Sequence, residues 1–169
     1  MLEGKTVNLR VLEKDDVDFV ASNDSNRFWE EYNPVDEQRS KSEWTKLFDN
    51  IQSSPNDLKV FIIQKKDGTK IGDINHRFNL PYKWMEIGWY NIIPTERGRG
   101  YGTEAVQLMI DYLFLSKDLG RIQAIVDLRN KASQRVLEKV GFQREGTIRK
   151  CLFNRGEWRD YDLYSILRE

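Results

Sequence analysis

The part of the sequence that most constrains the fold is a strand, a glycine-rich turn, a long helix and a second strand in direct succession. Residues 84–93 and 121–127 are apolar runs of strand length, and residues 103–115 place apolar side chains around most of a helix. The turn between the first strand and the helix reads PTERGRGYGT, residues 94–103. Because a helical crossover joins parallel neighbours of one sheet, this segment predicts at least one parallel pair of strands.

Two hairpin signals add antiparallel strands before and after this segment. The turn sequences are Asp67-Gly68 and Asn154-Arg155-Gly156, and the strands beside them are predicted at 58–64, 70–78, 142–152 and 157–167. A strand at 7–12 and helices at 14–25, 36–52 and 131–140 complete the order β-α-α-β-β-β-α-β-α-β-β. Gly141 is expected to end the last helix as a left-handed cap. The pattern predicts an α+β fold, one domain over residues 1–169, with a mixed, mostly antiparallel central sheet flanked by helices.

The charge and cysteine content limit the partners and the compartment. Lys plus Arg and Asp plus Glu number 27 each, so no net charge attracts nucleic acid or an anionic membrane. The single cysteine, Cys151, cannot close an internal disulfide, which favours a reducing compartment. No signal peptide is visible, and no apolar run approaches the roughly 20 residues of a membrane span. We therefore expect a soluble, cytoplasmic protein, and with His76 as the lone histidine we expect no metal.

The glycines of the 94–103 turn are suited to holding a phosphate. The first turn of a helix has unpaired N–H groups and partial positive charge, and glycines allow a bulky anion to approach the backbone. Gly100 and Gly102 are separated by one residue, whereas a dinucleotide-binding fingerprint needs two, and no Gly-Lys-Ser/Thr run of a triphosphate loop is present. A flexible turn that merely starts a core helix remains the alternative.

Two motifs resemble those of the GNAT superfamily of acyl-CoA-dependent N-acetyltransferases. Arg97-x-x-Gly100-x-Gly102 is similar to its pyrophosphate-binding motif, and residues 130–142, NKASQRVLEKVGF, are similar to its second conserved block. The opening VNLRVLEKDD and closing DYDLYSILRE resemble the ribosomal-protein N-terminal acetyltransferase branch. The resemblance implies acetyl-CoA as donor co-substrate, held by Ile92, Ile93, Arg97, Gly98, Arg99, Gly100, Tyr101, Gly102, Thr103, Asn130 and Lys139.

Acetyl transfer to an amine needs a general base and a proton for the leaving thiolate. Glu86 is the candidate base, because it lies among apolar residues on the strand leading into the glycine turn and resembles a strand glutamate of several superfamily members. A solvent-facing glutamate paired with a lysine is the alternative. Gly88 in the same strand predicts a bulge or a close backbone approach. Many members place a tyrosine acid at the position of Leu137; leucine cannot donate, so Ser133 or water is the candidate acid.

The acceptor is expected to approach the segment between the first two helices. Trp29, Glu30, Glu31 and Tyr32 there combine aromatic rings with carboxylates, which suits a cationic amine; a solvated loop with aromatic anchors is the alternative. The predicted function is direct transfer from acetyl-CoA to a primary amine, either a protein N-terminus or a small amine, and relatives suggest a homodimer. A non-catalytic acyl-CoA-binding regulatory domain and a nucleotide-binding module are the competing hypotheses.

Overall fold

The computed structural model describes residues 1–27, 39–53, 58–79 and 84–169. Eight strands lie within these residues: β1 Leu2–Glu3, β2 Val7–Val11, β3 Lys59–Lys65, β4 Lys70–Asn79, β5 Trp84–Ile92, β6 Arg121–Asp127, β7 Gln143–Asn154 and β8 Glu157–Leu167. The α-helices are α1 Val17–Arg27, α2 Lys41–Gln52, α3 Tyr101–Ser116 and α4 Lys131–Lys139. Short 3-10 helices at Lys14–Asp16 and Pro94–Glu96 precede α1 and the glycine turn.

The strands form one mixed, mostly antiparallel sheet in the order β1-β2-β3-β4-β5-β6-β8-β7. β5 and β6 are parallel, as the helical crossover through α3 predicted, and the other neighbouring pairs are antiparallel. This confirms the predicted α+β fold and its element order. Among the strands that the structure describes, the sequence pattern missed only β1, which is too short to show alternation.

The predicted turns and caps have the backbone conformations that glycine permits. Gly68 and Gly156 have φ of 86° and 81° in the two hairpin turns. Gly141 has φ of 95°, and the N–H of Phe142 donates to the carbonyl of Leu137 at 3.0 Å, which closes α4 as a left-handed cap does. The predicted helix boundaries were less accurate. α2 begins at Lys41 because the Ser40 side chain accepts from the N–H of Glu43 at 3.3 Å.

The two faces of the sheet differ in polarity. α3 packs against β2 and β5 on the apolar face, where Val106, Met109 and Leu113 are fully buried. On the opposite face α1 packs against β4 and α2 against β3. Residues on one strand alternate between faces, so Glu86, which lies between core residues of β5, points to the side of α1 and α2. None of the described helices is long and apolar enough to cross a membrane.

A bulge in β5 and a break in its pairing open the sheet at its centre. Ile74 pairs with Tyr90 and His76 with Ile87, so two residues of β5 lie opposite the single residue between them on β4. That confirms the bulge predicted at Gly88. β5 and β6 pair only at Met85 with Ile122 and at Glu86 with Gln123, although both strands continue for several residues. The two strands therefore separate beyond Glu86.

Candidate active site

The glycine turn has the backbone geometry of an anion-binding helix start. Gly98 and Gly100 have φ of 77° and 87°, and Gly100 is the left-handed N-cap of α3. A Cβ atom at either position would have no other atom within 4 Å, so the space in front of the turn is open. Tyr101, Gly102 and Thr103 form the first turn of α3. Their N–H groups belong to the set that a helix start leaves without an intrahelical acceptor.

The two arginines of the turn have different surroundings. Arg97 donates from Nε to the carbonyl oxygen of Ile92 at 2.8 Å, which fixes the turn to the end of β5. Arg99 is more than half exposed, and its guanidinium lies 3.4 Å from Glu96 Oε2. Lys65 contacts the other oxygen of Glu96 at 3.1 Å. Arg97 is therefore a bracing residue in this structure, whereas Arg99 contributes positive charge at the surface of the turn.

A cavity of about 660 Å³ lies where β5 and β6 separate. α1 and α2 contribute Val20, Trp44 and Leu47 to its wall, the sheet contributes Asn75, Glu86, Gly88 and Ala124, and α4 contributes Asn130, Ser133 and Leu137. Both predicted catalytic residues, Glu86 and Ser133, thus line one cavity. Of the described residues that line it, none belongs to segment 97–103, and Lys139 is exposed on α4 outside it.

Glu86 is buried and held by two side chains that its sequence neighbours did not reveal. It is 6% exposed, which rules out the solvent-facing alternative. Arg77 donates to its Oε1 from Nε at 3.0 Å and from Nη2 at 2.5 Å, and Gln123 Nε2 lies 3.3 Å from Oε2. Arg77 and Glu86 are register partners across β4 and β5, so the alignment of this hairpin would have indicated the pair.

The start of α4 places Asn130 and Ser133 beside the apolar Leu137. Asn130 Oδ1 accepts from the N–H of Ser133 at 3.1 Å, which confirms that Asn130 caps α4. The cap uses the side-chain oxygen and leaves the amide hydrogens of Asn130 for a ligand. Leu137 is 1% exposed and carries no proton donor. Of the α4 residues that the sequence had singled out for this role, Ser133 therefore carries a hydroxyl at the cavity that can donate a proton.

Two further cavity residues, Cys151 and Tyr161, come from β7 and β8 and were not predicted as site residues. Burial and the charge of Glu86 raise the pKa of the Cys151 thiol, so the thiol form is favoured and acetyl transfer through a thiolate is not. Tyr161 pairs with Asp127 across β8 and β6, which brings it to the cavity from the far side of the open strand pair. No sequence motif marks it; only strand pairing could have found it.

Three remaining sequence features are the predicted acceptor-binding residues, the expected absence of a metal and His76. The predicted acceptor-binding residues Trp29, Glu30, Glu31 and Tyr32 lie outside the described ranges. Within residues 1–27, 39–53, 58–79 and 84–169, no group of three His, Cys, Asp or Glu side chains is arranged to hold a metal ion. The buried His76 stacks near the rings of Phe61 and Tyr112.

The family that matches this chain identifies its class as a transferase. The acetyltransferase (GNAT) domain family matches residues 6–143, and the chain belongs to this family. It is accordingly an acetyl-CoA-dependent N-acetyltransferase. A probable N-acetyltransferase of Bacillus subtilis (strain 168), YjcK, is 31% identical over 179 residues, covering 99% of this chain and 97% of that protein.

Two solved structures of transferases have the same fold. The spermidine N-acetyltransferase from Vibrio cholerae, in complex with CoA and spermine, has a TM-score of 0.84 at 24% identity and covers 95% of both chains. The ribosomal-protein-S5-alanine acetyltransferase from Vibrio fischeri has a TM-score of 0.80 at 23% identity and covers 98% of this chain and 94% of that one. The fold is therefore common to enzymes acting on a polyamine and on a protein.

Proposed function

We propose that this protein transfers an acetyl group from acetyl-CoA directly to a primary amine that enters the cavity between β5, β6 and α4. The observation that carries the proposal is the position of Glu86, a buried carboxylate lining the cavity where the two parallel strands separate. An amine must lose a proton to become a nucleophile, and a carboxylate within reach of it can take that proton.

Glu86 keeps acceptor capacity for this role. A carboxylate offers about four lone-pair sites. Arg77 uses Oε1 through two N–H groups, and Gln123 approaches Oε2 at 3.3 Å, so a lone pair on Oε2 is left for the amine. The two donors fix the carboxylate in one orientation. Arg77 is half exposed, so solvent screens its charge and the positive field at the base is moderate.

Acetyl-CoA is proposed to bind with its diphosphate at the N–H groups of the glycine turn and its acyl arm in the gap between β5 and β6. The positive φ of Gly98 and Gly100 and the open space before them support this placement. Ile92 ends β5 and Ile93 follows it. Arg99, Tyr101, Gly102 and Thr103 belong to the turn and the start of α3, Asn130 caps α4, and Lys139 ends α4. Bound there, acetyl-CoA supplies the activated acyl group.

The acceptor is proposed to be a cationic amine, either a protein N-terminus or a small amine such as a polyamine. Asp24 and Asp73 line the α1 side of the same cavity, where carboxylates favour a positive group over an anion. The similarity to enzymes for spermidine and for a ribosomal-protein alanine supports testing both classes. We further propose that the protein belongs to the ribosomal-protein acetyltransferase branch and forms one domain over residues 1–169. We also propose a cytoplasmic location and a homodimer.

The test is release of free CoA thiol from acetyl-CoA with spermidine, spermine and peptides that begin with alanine, for wild type and Glu86→Gln. We expect kcat for the active acceptor to fall about 100-fold or more in the variant, because general base catalysis contributes about 10²–10⁴-fold. Thermal stabilisation by CoA should be retained, because Glu86 lies outside the glycine turn.

Glu145→Gln is the matched control. Glu145 is also held by an arginine, Arg121 at 2.6 Å, but it belongs to β7 and is not a lining residue of the cavity. Its variant should release thiol at the wild-type rate. Amine-dependent thiol release that is equal in wild type and Glu86→Gln would remove Glu86 from the role of base. No thiol release with any acceptor, despite stabilisation by acetyl-CoA, would contradict the proposed acceptor class.

A further inference from the structure

Tyr161 carries a buried hydroxyl group that the fold itself does not use. The residue is 8% exposed and lies on β8, opposite Asp127 of β6. Its Oη atom has no hydrogen-bond partner within the part of the chain that the structure describes, and the side chain lines the same cavity as Glu86 and Ser133. A buried hydroxyl without a partner destabilises the free protein, because it has lost its hydrogen bonds to water and gained none.

The other buried tyrosine of β8 has a hydroxyl with a structural role. Tyr164 is 1% exposed, its Oη lies 3.3 Å from Glu138 Oε1, and it is not a lining residue of the cavity. The two tyrosines lie three positions apart on one strand and differ in what surrounds the oxygen. The Tyr161 hydroxyl is therefore left for a ligand that enters the cavity, whereas the Tyr164 hydroxyl links β8 to α4 through its hydrogen bond with Glu138.

Resting on the function proposed above, we propose that Tyr161 is the general acid that protonates the sulfur of the leaving CoA. The C–N bond to the acceptor forms and the C–S bond breaks, with its electron pair staying on sulfur. Tyr161 gives its phenolic proton to that sulfur, the attacking nitrogen gives its proton to Glu86, and solvent then restores the proton of Tyr161 and removes that of Glu86. The acceptor enters as an ammonium ion and loses a first proton to solvent through Glu86 before it attacks, so the net products are the acetylated amine, free CoA thiol and one proton.

The chemistry of a phenol suits this role better than that of the Ser133 hydroxyl. A phenol has an ordinary pKa of about 10, close to the roughly 8.5 of an alkyl thiol, so proton transfer between them is nearly level. Burial and the charge of Asp127 raise the pKa of Tyr161, so the hydroxyl is protonated at neutral pH. Leu137 occupies the α4 position where many relatives carry a tyrosine, and Tyr161 reaches the cavity from β8 instead.

The proposed base and the proposed acid lie on different strands of the sheet. Glu86 is on β5 and Tyr161 is on β8, with β6 between them, and both side chains line the cavity. This order places the proton acceptor and the proton donor at different parts of the cavity. An amine and a thioester sulfur that react in one step need their proton partners separated in that way.

The first experiment compares Tyr161→Phe, Tyr164→Phe and Ser133→Ala in the full-length protein. We expect kcat of Tyr161→Phe to fall about 100-fold with a KM for acetyl-CoA within about threefold of wild type. Its melting temperature without ligand should be equal or higher, because phenylalanine removes the unpartnered hydroxyl. Tyr164→Phe should keep the wild-type kcat and melt at a lower temperature, and Ser133→Ala should lose less kcat than Tyr161→Phe.

The second experiment detects the contact with sulfur without any turnover. 3-Fluorotyrosine is incorporated at position 161, or at position 164 as control, and its 19F resonance is followed during titration with CoA and with desulfo-CoA, which lacks the sulfur atom. The 161 resonance should shift with CoA much more than with desulfo-CoA, and the 164 resonance should respond equally to both. The fluorinated phenol is also a stronger acid, so the alkaline limb of the kcat profile should move to lower pH.

The outcomes separate this proposal from the function on which it rests. Wild-type turnover together with full activity of Tyr161→Phe overturns the role of Tyr161 and leaves the proposed function intact. A 161 resonance that responds equally to CoA and desulfo-CoA overturns it too, because the hydroxyl then lies away from the sulfur. Absence of thiol release by the wild type with every acceptor overturns both.

Discussion

Gly88→Ala adds one methyl group at the bulge in β5 and tests whether this bulge requires glycine. An alanine Cβ there would lie 2.1 Å from Asn75 Oδ1 and 2.9 Å from Asn75 Cγ, where an ordinary contact needs at least 3.4 Å. Asn75 is 6% exposed, so the amide cannot rotate into solvent to make room. Gly88→Ala must therefore displace a buried side chain, shift the bulged strand, or both.

The expected loss of stability follows from two opposing terms. Overpacking a buried site costs about 1–3 kcal/mol, and this contact belongs in the upper half of that range. Replacing a strand glycine by alanine recovers about 0.5–1 kcal/mol of backbone entropy. The net loss for Gly88→Ala is therefore about 1–2.5 kcal/mol. Gly72→Ala should lose more, because its Cβ would lie 1.8 Å from the backbone oxygen of Asn91, which cannot rotate away.

Gly146→Ala is the matched control for Gly88→Ala. Gly146 is also a strand glycine, on β7, and a Cβ there would meet nothing within 4 Å. It should be as stable as wild type or up to about 1 kcal/mol more stable. Urea unfolding at pH 7 gives the free energies of unfolding of Gly88→Ala, Gly72→Ala and Gly146→Ala relative to wild type. Of Gly88→Ala and Gly146→Ala, only the first should have a lower kcat/KM for acetyl-CoA. We expect a fall of about tenfold to 100-fold, because small displacements of a reacting geometry are costly.

The ranking of the variants decides whether the close contact at the bulge is what makes glycine necessary. If Gly88→Ala unfolds at the same urea concentration as Gly146→Ala and keeps its kcat/KM, the contact with Asn75 is not limiting and the account of the bulge is wrong. If stability falls but kcat/KM does not, the bulge supports the fold and not the cavity.

Two further predictions concern the ion cluster under α1 and the glycine turn. Asp16 is buried and accepts from Arg10 at 2.8 and 2.9 Å and from Lys70 at 2.6 Å. Asp16→Asn should lower the free energy of unfolding by about 2 kcal/mol at pH 7. This loss is smaller than for a fully buried ion pair, because both cations are partly exposed. Burial raises the pKa of Asp16, but the hydrogen bonds from Arg10 and Lys70 outweigh burial, so the pKa is lowered overall. The difference in free energy of unfolding between wild type and Asp16→Asn should therefore be complete above about pH 5 and shrink as pH falls below about 4. Urea unfolding at a series of pH values measures it. Gly100→Ala, at φ of 87°, should cost about 1 kcal/mol and reduce the thermal shift produced by CoA, whereas equal shifts in variant and wild type would argue against the turn as the diphosphate site.

The sequence predicted well the features that depend on local backbone chemistry. The hairpins at Gly68 and Gly156, the cap at Gly141 and the bulge at Gly88 each rest on a conformation or contact that a residue with a Cβ tolerates poorly. The parallel pair followed from the helical crossover. Such features need only a few neighbouring residues, so a single sequence carries them.

The features it missed depend on the register between strands. Alternation indicates that Glu86 and its neighbours face opposite sides, but not which side is covered by α1 and α2. Gln123 reaches Glu86 only because β6 pairs with β5 at that position, and Tyr161 reaches the cavity only because β8 inserts between β6 and β7. Those relations connect residues far apart in the chain, and no local pattern encodes them.

The short pairing between β5 and β6 divides the sheet into two parts that share one hydrophobic core but carry different walls of the cavity. Strands β1–β5, together with α1 and α2, supply Glu86, whereas β6–β8 and α4 supply Ser133 and Tyr161. Only two residue pairs of backbone ladder join the parts across this line. Substitutions that reshape one wall for a new acceptor are therefore expected to leave the backbone of the opposite wall, which carries the proposed proton donor, in place.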